Sequence, residues 1–357
     1  MIFKRLIQSI GIIAILCAAI PLLPINYWWI NIFDYPLIQF LLITFTVLVI
    51  YPFVFKRRSI LDYVLVGLLF TALIFQIDKI YPYTIFGEKQ LGDSSSSAEV
   101  KIKFFEANVL QENKNSTKLL KQITVYDPDI ILFTETNERW QRTIESGLDA
   151  AYKYKIQVPQ DNTYGILLYS KFQLNNSKVN YRVQGDIPSI NTNVILSDST
   201  SIRLYAIHPT PPDPEHKSSS SDRGTEMIKT GLTLIEEDQP TVVLGDFNEV
   251  AWSQNVSLFQ EISGLLDVRK GRGFYNTFNA DHFFMRWPLD QVFASEHFRV
   301  SQIKAWDYMG SDHFAFSATL TYEPIRAAEQ KAHPVSEKVL ELLRKHTDEA
   351  EEKIERQ

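Results

Sequence analysis

Three apolar stretches fill most of the first 80 residues: Leu6–Pro24, Pro36–Phe55 and Ile60–Gln76. Each is near the length that crosses about 30 Å of hydrocarbon as a helix. One such stretch alone is compatible with a signal peptide or a core helix. Three in succession predict three transmembrane helices, which leaves the folded soluble core to the rest of the chain. The loop NYWWINIFDYP (26–36) between the first two is crowded with rings suited to a membrane–water interface.

Basic residues orient the spans. Lys4 and Arg5 precede the first, Lys56, Arg57 and Arg58 separate the second from the third, and Ile25–Tyr35 has no Lys or Arg. The positive-inside bias places the N-terminus and the second loop in the cytoplasm, and everything beyond about residue 80 on the other side. The single cysteine, Cys17, excludes an intramolecular disulfide. It reads as a small hydrophobe inside an apolar stretch, because Leu16 before it does not suit a lipoprotein cleavage site.

The 357 residues divide by composition into a three-span region (1–80), a linker (81–99), a soluble domain (100–323) and a charged tail (324–357). GEKQLGDSSSSAEV (87–100) reads as solvated chain. Val339, Leu342 and Leu343 fall at helical spacing in the tail, either as an exposed helix or as one that binds a partner. Residues 97–323 hold 22 Lys and Arg against 29 Asp and Glu, a net charge of −7. Duplex-binding nucleases present a basic face; here the local basic cluster is RKGRG (269–273).

Within the soluble domain, short apolar runs end in polar residues. TVVLGDFNEV (241–250) is a buried strand that reaches Gly245 and then pushes out Asp246 and Asn248, two residues apart. A turn accounts for Gly, Asp and Asn equally well, so the other strand ends decide. VKIKFFEANVL (100–110) ends near Asn108, Ile130–Phe133 precedes Glu135, SIRLYAIHPTPP reaches His208, LDQVFAS contains Asp290, and Asp312 and His313 lie between two strands. If sheets bring these ends together, the set supplies carboxylates for a hard cation, histidines to move protons and amide donors for developing charge.

The motifs NVL, TE, HP, GDFN, LDQV and GSDH, in that order, resemble the endonuclease/exonuclease/phosphatase superfamily, with its DNase I-like fold. The resemblance spans roughly residues 100–322, with GDFN and SDH its most specific parts. It implies an α/β (α+β) fold, a four-layer sandwich of two packed mixed sheets flanked by helices. Three spans ahead of such a domain look like the bacterial membrane-bound branch, and imply a multi-pass protein of the bacterial cell (inner) membrane with its catalytic domain extracytoplasmic, periplasmic in a Gram-negative cell.

Carried over residue by residue, the resemblance makes Glu135 the principal ligand of Mg²⁺, or of Mn²⁺ as the alternative, with Asn108 beside it and Asp312 completing the shell. His313 activates water or holds the phosphate, paired with Asp290. Asp246 and Asn248 flank the nucleophile, and His208 acts from the opposite side. Many relatives carry His or Tyr after the Asp of the penultimate strand, where this chain has Gln291. The implied activity is hydrolysis of a phosphate ester, of nucleic acid or of a phospholipid or sphingomyelin type, at a bilayer that the spans engage. A membrane-tethered binding module that kept the fold without activity is the competing reading. The retained histidines and carboxylates argue against it. The aromatic loop HFFMRWP (282–288) is left with three readings: stacking on a base, dipping into lipid, or packing on the domain.

Overall fold

The computed structural model describes residues 2–23, 27–54, 59–183, 185–211, 221–235 and 237–330, together with Glu337, Val339 and Glu341. Lys56, Arg57 and Arg58, and Leu342 and Leu343 of the expected tail helix, lie outside the described residues.

Helices Ile2–Ala19, Leu37–Val54 and Ile60–Ile80 pack on one another through Ile7, Val47, Tyr51, Leu65 and Leu69. Asp62 ties one end of this bundle together. It accepts from Lys4 Nζ at 3.0 Å, Tyr51 OH at 2.9 Å and the Ser59 backbone N–H at 2.8 Å. Among the described residues two stretches, Ile2–Leu22 and Ile60–Tyr83, are long and apolar enough to cross a membrane. That is one fewer than expected. Trp28–Asn31 and Ile32–Asp34 form short separate helical turns, so the middle apolar helix starts only at Leu37. Its apolar part, Leu37–Phe53, is shorter; at 1.5 Å per residue it reaches about 26 Å.

Among the described residues twelve strands follow: β1 (Lys101–Asn108), β2 (Ile130–Thr134), β3 (Tyr154–Val158), β4 (Ile166–Ser170), β5 (Gln173–Asn180), β6 (Ser189–Ile195), β7 (Ser201–Ala206), β8 (Thr241–Asp246), β9 (Leu266–Asp267), β10 (Asp290–Ala294), β11 (Phe298–Ala305) and β12 (Phe316–Tyr322). They form two six-stranded mixed sheets, in the orders β11-β12-β1-β2-β4-β3 and β5-β6-β7-β8-β10-β9. Each has one parallel pair at its centre, β1 with β2 and β7 with β8.

Period-two alternation gives each central strand two apolar faces. Ile102, Phe104, Ile130 and Leu132 face inward and meet Leu204, Val242, Leu244 and Val292 of the other sheet. Phe105, Ile131 and Phe133 face outward, under Leu119, Ile123, Trp140 and Ile144 from helices Thr117–Tyr126 and Glu138–Gly147. On the far side Tyr205, Val243 and Phe293 pack under Met227, Val256 and Phe259 from helices Ser221–Ile235 and Gln254–Ser263. Two sheets between two helical layers are the expected sandwich. Each fully buried side chain of this size contributes roughly 1.5–3 kcal/mol.

This topology places the site. β1, β2, β7 and β8 all end at the same edge of the sandwich. β10 runs antiparallel to β8, so its first residue, Asp290, lies opposite Asp246, the last of β8. Between β8 and β7 the approach is tight. Gly245 has φ +151°, and a Cβ there would sit 1.9 Å from the Ile207 carbonyl oxygen. Only glycine is accommodated at this point.

The stretch expected as solvated linker packs in part. Leu91 is fully buried, and the backbone N–H groups of Ser94 and Ser95 donate to the Val300 carbonyl and to Glu323 Oε1, each at 3.0 Å. Leu91 joins the inter-sheet core as one apolar residue in a polar run, too small a signal for a composition-based reading.

Gly245→Ala is expected to cost at least about 2 kcal/mol, roughly a 4–8 °C fall in the melting temperature of the purified protein. Gly185→Ala, where an added Cβ meets nothing within 4 Å, is the control and should melt within about 2 °C of the parent.

Candidate active site

All eight residues singled out from the sequence meet at this edge. Asn108, at the end of β1, is buried. Its Nδ2 donates to Glu135 Oε1 at 2.8 Å and to Asp246 Oδ2 at 3.0 Å. One amide therefore clamps a carboxylate of its own sheet to a carboxylate of the other. Its Oδ1 accepts from the Leu110 N–H at 3.0 Å, and its carbonyl accepts from Ser311 Oγ at 2.8 Å.

Asp246 and Asn248 do not sit side by side on an extended strand. Asn248 has φ +50°, and its N–H donates to Asp246 Oδ1 at 2.9 Å. The turn and the site are the same object. Asn248 Nδ2 then donates to the Pro209 carbonyl at 2.9 Å. Glu135 is also left-handed, at φ +57°. Non-glycine residues held there cost on the order of 1–3 kcal/mol and gather at functional sites.

His313 is fixed from both ends. Its N–H donates to Ser311 Oγ at 3.0 Å, and its Nδ1 lies 2.8 Å from Asp290 Oδ2. Its Nε2 is 3.6 Å from Asp246 Oδ2, and His208 Nε2 reaches the same oxygen at 3.8 Å. The Phe278 ring lies 5.0 Å from the His313 ring. His208 is buried, makes no hydrogen bond through its ring among the described residues, and has the Tyr164 ring at 5.8 Å.

Burial and charge oppose each other throughout. Burial works against a charged His313, but the Asp290 and Asp246 carboxylates outweigh it and push its pKa up to about 10. Burial likewise disfavours the Asp246 charge, yet His313 and His208 hold its pKa below the ordinary value. Burial pushes Glu135 up to about 7, with Asp246 and Asp312 adding repulsion. Asp312 is raised, chiefly by burial, and His208 is lowered by it.

Glu135, Asp246 and Asp312 thus crowd negative charge into a buried space, and Asp246, Asp290 and His313 each offer a ligand atom within 4.8 Å of one another. Because Asp290 and His313 are already paired, and Asn108 Oδ1 accepts from the Leu110 N–H, the oxygens of Glu135 and Asp312 are the more available donors. The residues present fit a hard divalent cation.

Two charged residues under the site were not anticipated. Glu106 of β1 is buried; burial, then Asp290 and Asp246, raise its pKa well above the ordinary value, against the opposing pull of the Gly245 backbone N–H. Arg269 is fully buried, its guanidinium 4.5 Å over the Phe316 ring. A charge inside the apolar run of β1 is a readable signal for Glu106. Arg269 belongs to the local basic cluster of the sequence, and its burial removes it from the surface. Lys270 Nζ donates to Gln260 Oε1 at 2.8 Å and Arg272 pairs with Asp93 at 2.7 Å, so RKGRG forms no free basic patch. Gln291 is buried and donates to the Glu249 carbonyl at 2.8 Å; it faces the protein rather than the cavity.

The site opens into a cavity of about 580 Å³, lined by Glu135, His208, Asn248, Asp312 and His313 on one side and by apolar residues on the other. Among curated proteins none matches the chain. Of solved structures, D. rerio TDP2 complexed with a single-strand DNA product has a TM-score of 0.51 at 14% identity, with 62% of this chain and 100% of that one covered. A D. rerio TDP2 humanised by 14 mutations gives 0.50 at 15%, covering 62% and 99%. An endonuclease/exonuclease/phosphatase from Beutenbergia cavernae gives 0.50 at 15%, covering 63% and 72%. At these identities the likeness is one of fold. The sequence itself matches the Endonuclease/Exonuclease/phosphatase family over residues 102–313, more than half of the chain and every residue of the site, and the protein belongs to that family.

Proposed function

We propose that the protein is a membrane-anchored, divalent-metal-dependent hydrolase of phosphoester bonds in which water attacks phosphorus. The observation that carries this reading is the Asn108 clamp on Glu135 and Asp246 beside the His313–Asp290 pair. Glu135 and Asn108, with Asp312, would hold Mg²⁺ or Mn²⁺, which when bound supplies charge neutralisation at the phosphoryl oxygens. His313, kept cationic by its carboxylate neighbours, offers its Nε2–H to a phosphoryl oxygen. Asp246, kept ionised, lies where it can take a proton from the attacking water. The Asn248 side chain, fixed by its bond to Pro209, limits where the phosphoryl group rests. His208, neutral because burial lowers its pKa, donates one N–H from the other side. An inactive binding module would not need Asp246, Asp290, His208 and His313 buried beside Glu135 and Asp312, since each buried polar or charged group costs free energy.

The TDP2 complex keeps nucleic acid among the substrates such a fold accepts. The net charge of −7 over residues 97–323 and the internally paired RKGRG work against duplex DNA.

For the anchor, the support is apolar surface: Leu16, Leu42, Phe45, Phe53, Leu61 and Phe70 are all exposed on the helix bundle. In the proposed arrangement all three helices enter the bilayer, the middle one by local thinning, with the N-terminus cytoplasmic. An alkaline phosphatase fusion after residue 90 should be active and a cytoplasmic reporter there silent; the reverse pattern contradicts this topology.

On bis-p-nitrophenyl phosphate with Mg²⁺, His313→Ala is expected to lower kcat by at least about a hundredfold. Asp290→Asn should give a large but smaller defect. The double variant should be little worse than His313→Ala, because groups that act as one unit are not additive. Additive defects, alongside lowered melting temperatures, would mean that Asp290 serves only structure.

A further inference from the structure

The apolar side of the catalytic cavity is not built by the catalytic domain alone. Ile32, Phe33 and Pro36, from the segment joining the first two apolar helices, and Phe40, from the first turn of the middle one, line it together with Met285 and Trp287. This segment is fixed to the strand ends that carry the site. Tyr35 is buried and its OH donates to the Asn248 carbonyl at 2.6 Å, on the residue that follows the GDF run. Its ring meets Trp287 edge-on at 5.7 Å. Trp252 Nε1 donates to the Asp34 carbonyl at 2.7 Å, and Gln39 Nε2 donates to the Phe284 carbonyl at 2.6 Å. Phe33 and Phe40 stack at 6.3 Å.

The wall runs directly into an apolar helix. Leu37, one residue past Pro36, begins the middle apolar helix. Beside it, in the loop that Gln39 bonds, Phe283, Phe284 and Met285 are 77%, 80% and 50% exposed. Three large apolar side chains in a row, in water, are an exposed patch that calls for a partner. Continuity with the apolar helices identifies the bilayer surface as that partner. The segment 25–35 has no Lys or Arg, so nothing there recruits a polyanion.

We propose that this segment is the specificity wall of the active site, and that the substrate is a lipid phosphoester whose apolar alcohol lies against Ile32, Phe33 and Phe40 and continues into the bilayer. The proposal rests on the phosphoesterase reading of the site. In the reaction, the water oxygen bonds to phosphorus and passes one proton to Asp246. The P–O bond to the lipid alcohol breaks with its electron pair on the alcohol oxygen, which takes a proton from solvent at the cavity mouth. Attack from the polar floor puts the in-line leaving oxygen on the apolar side.

The test uses the full-length protein in mixed micelles with Mg²⁺ and four substrates: a glycerophospholipid, a polyprenyl phosphate, a single-stranded oligonucleotide and bis-p-nitrophenyl phosphate. Release of diacylglycerol or of polyprenol separates the two lipid sources. The wild type should turn over at least one lipid with a kcat/KM above that for the oligonucleotide. Phe33→Ser should lower kcat/KM for that lipid at least tenfold more than for bis-p-nitrophenyl phosphate. Ile32→Ser, at a residue 43% exposed and so tolerant of change, should shift the ratio in the same direction with an unchanged melting temperature. Equal losses on lipid and soluble probe in both variants overturn the proposal, as does preference for the oligonucleotide. Turnover of the soluble probe with neither lipid cleaved overturns it and leaves the phosphoesterase reading standing; no turnover of any substrate overturns both.

Discussion

One side-chain amide joins the two halves of the catalytic domain. Asn108 Nδ2 reaches Glu135 in its own sheet and Asp246 in the other, and both carboxylates are held where burial disfavours their charge. The fold tolerates this because the central strands bury apolar residues on both faces, so the cost is borne at one edge by a large core. What remains at that edge is a cluster of negative charge balanced in part by His313. The polar strand tip after TVVLG follows from the same constraint: Gly245 lets β8 press against Ile207, and the chain then turns on Asp246.

A second constraint ties the site to the helices ahead of it. Tyr35, Trp252 and Gln39 make hydrogen bonds between the inter-helix segment and the loops after β8 and before β10. Tyr83 adds a bond to the Ala251 carbonyl. Ile80, Tyr83, Trp252 and Trp287 pack into one small core across this contact. The inter-helix segment thereby completes a cavity whose floor is charged and whose wall is apolar, the division on which the proposed preference for an amphiphilic ester rests.

Much of this was legible in the sequence because strand ends announce themselves. The runs before Asn108, Glu135, His208 and Asp246 are short, apolar and bounded by turn formers, and a sheet must bring such ends together. The polar edge strand β5, QLNNSKVN, carries no such pattern, because one of its edges faces solvent. Helix Glu138–Gly147 buries only Trp140 and Ile144, too few to set a period. Arg269 was hidden for the opposite reason: its neighbours Lys270 and Arg272 disguise a buried cation as a surface cluster. The aromatic rings of 26–36 read as interfacial, and their second role at the catalytic cavity depends on contacts more than 200 residues away in sequence, such as Tyr35 with Asn248.

The most direct measurement is the metal dependence of bis-p-nitrophenyl phosphate hydrolysis by the full-length protein and by Glu135→Gln, with melting curves for both. The account requires that chelation abolish wild-type turnover and that Mg²⁺ restore it. Glu135→Gln should fold normally, because the group sits at a strand tip, and stay inactive at Mg²⁺ levels that saturate the wild type. Turnover that survives chelation, or near-normal Glu135→Gln activity at limiting Mg²⁺, would contradict it.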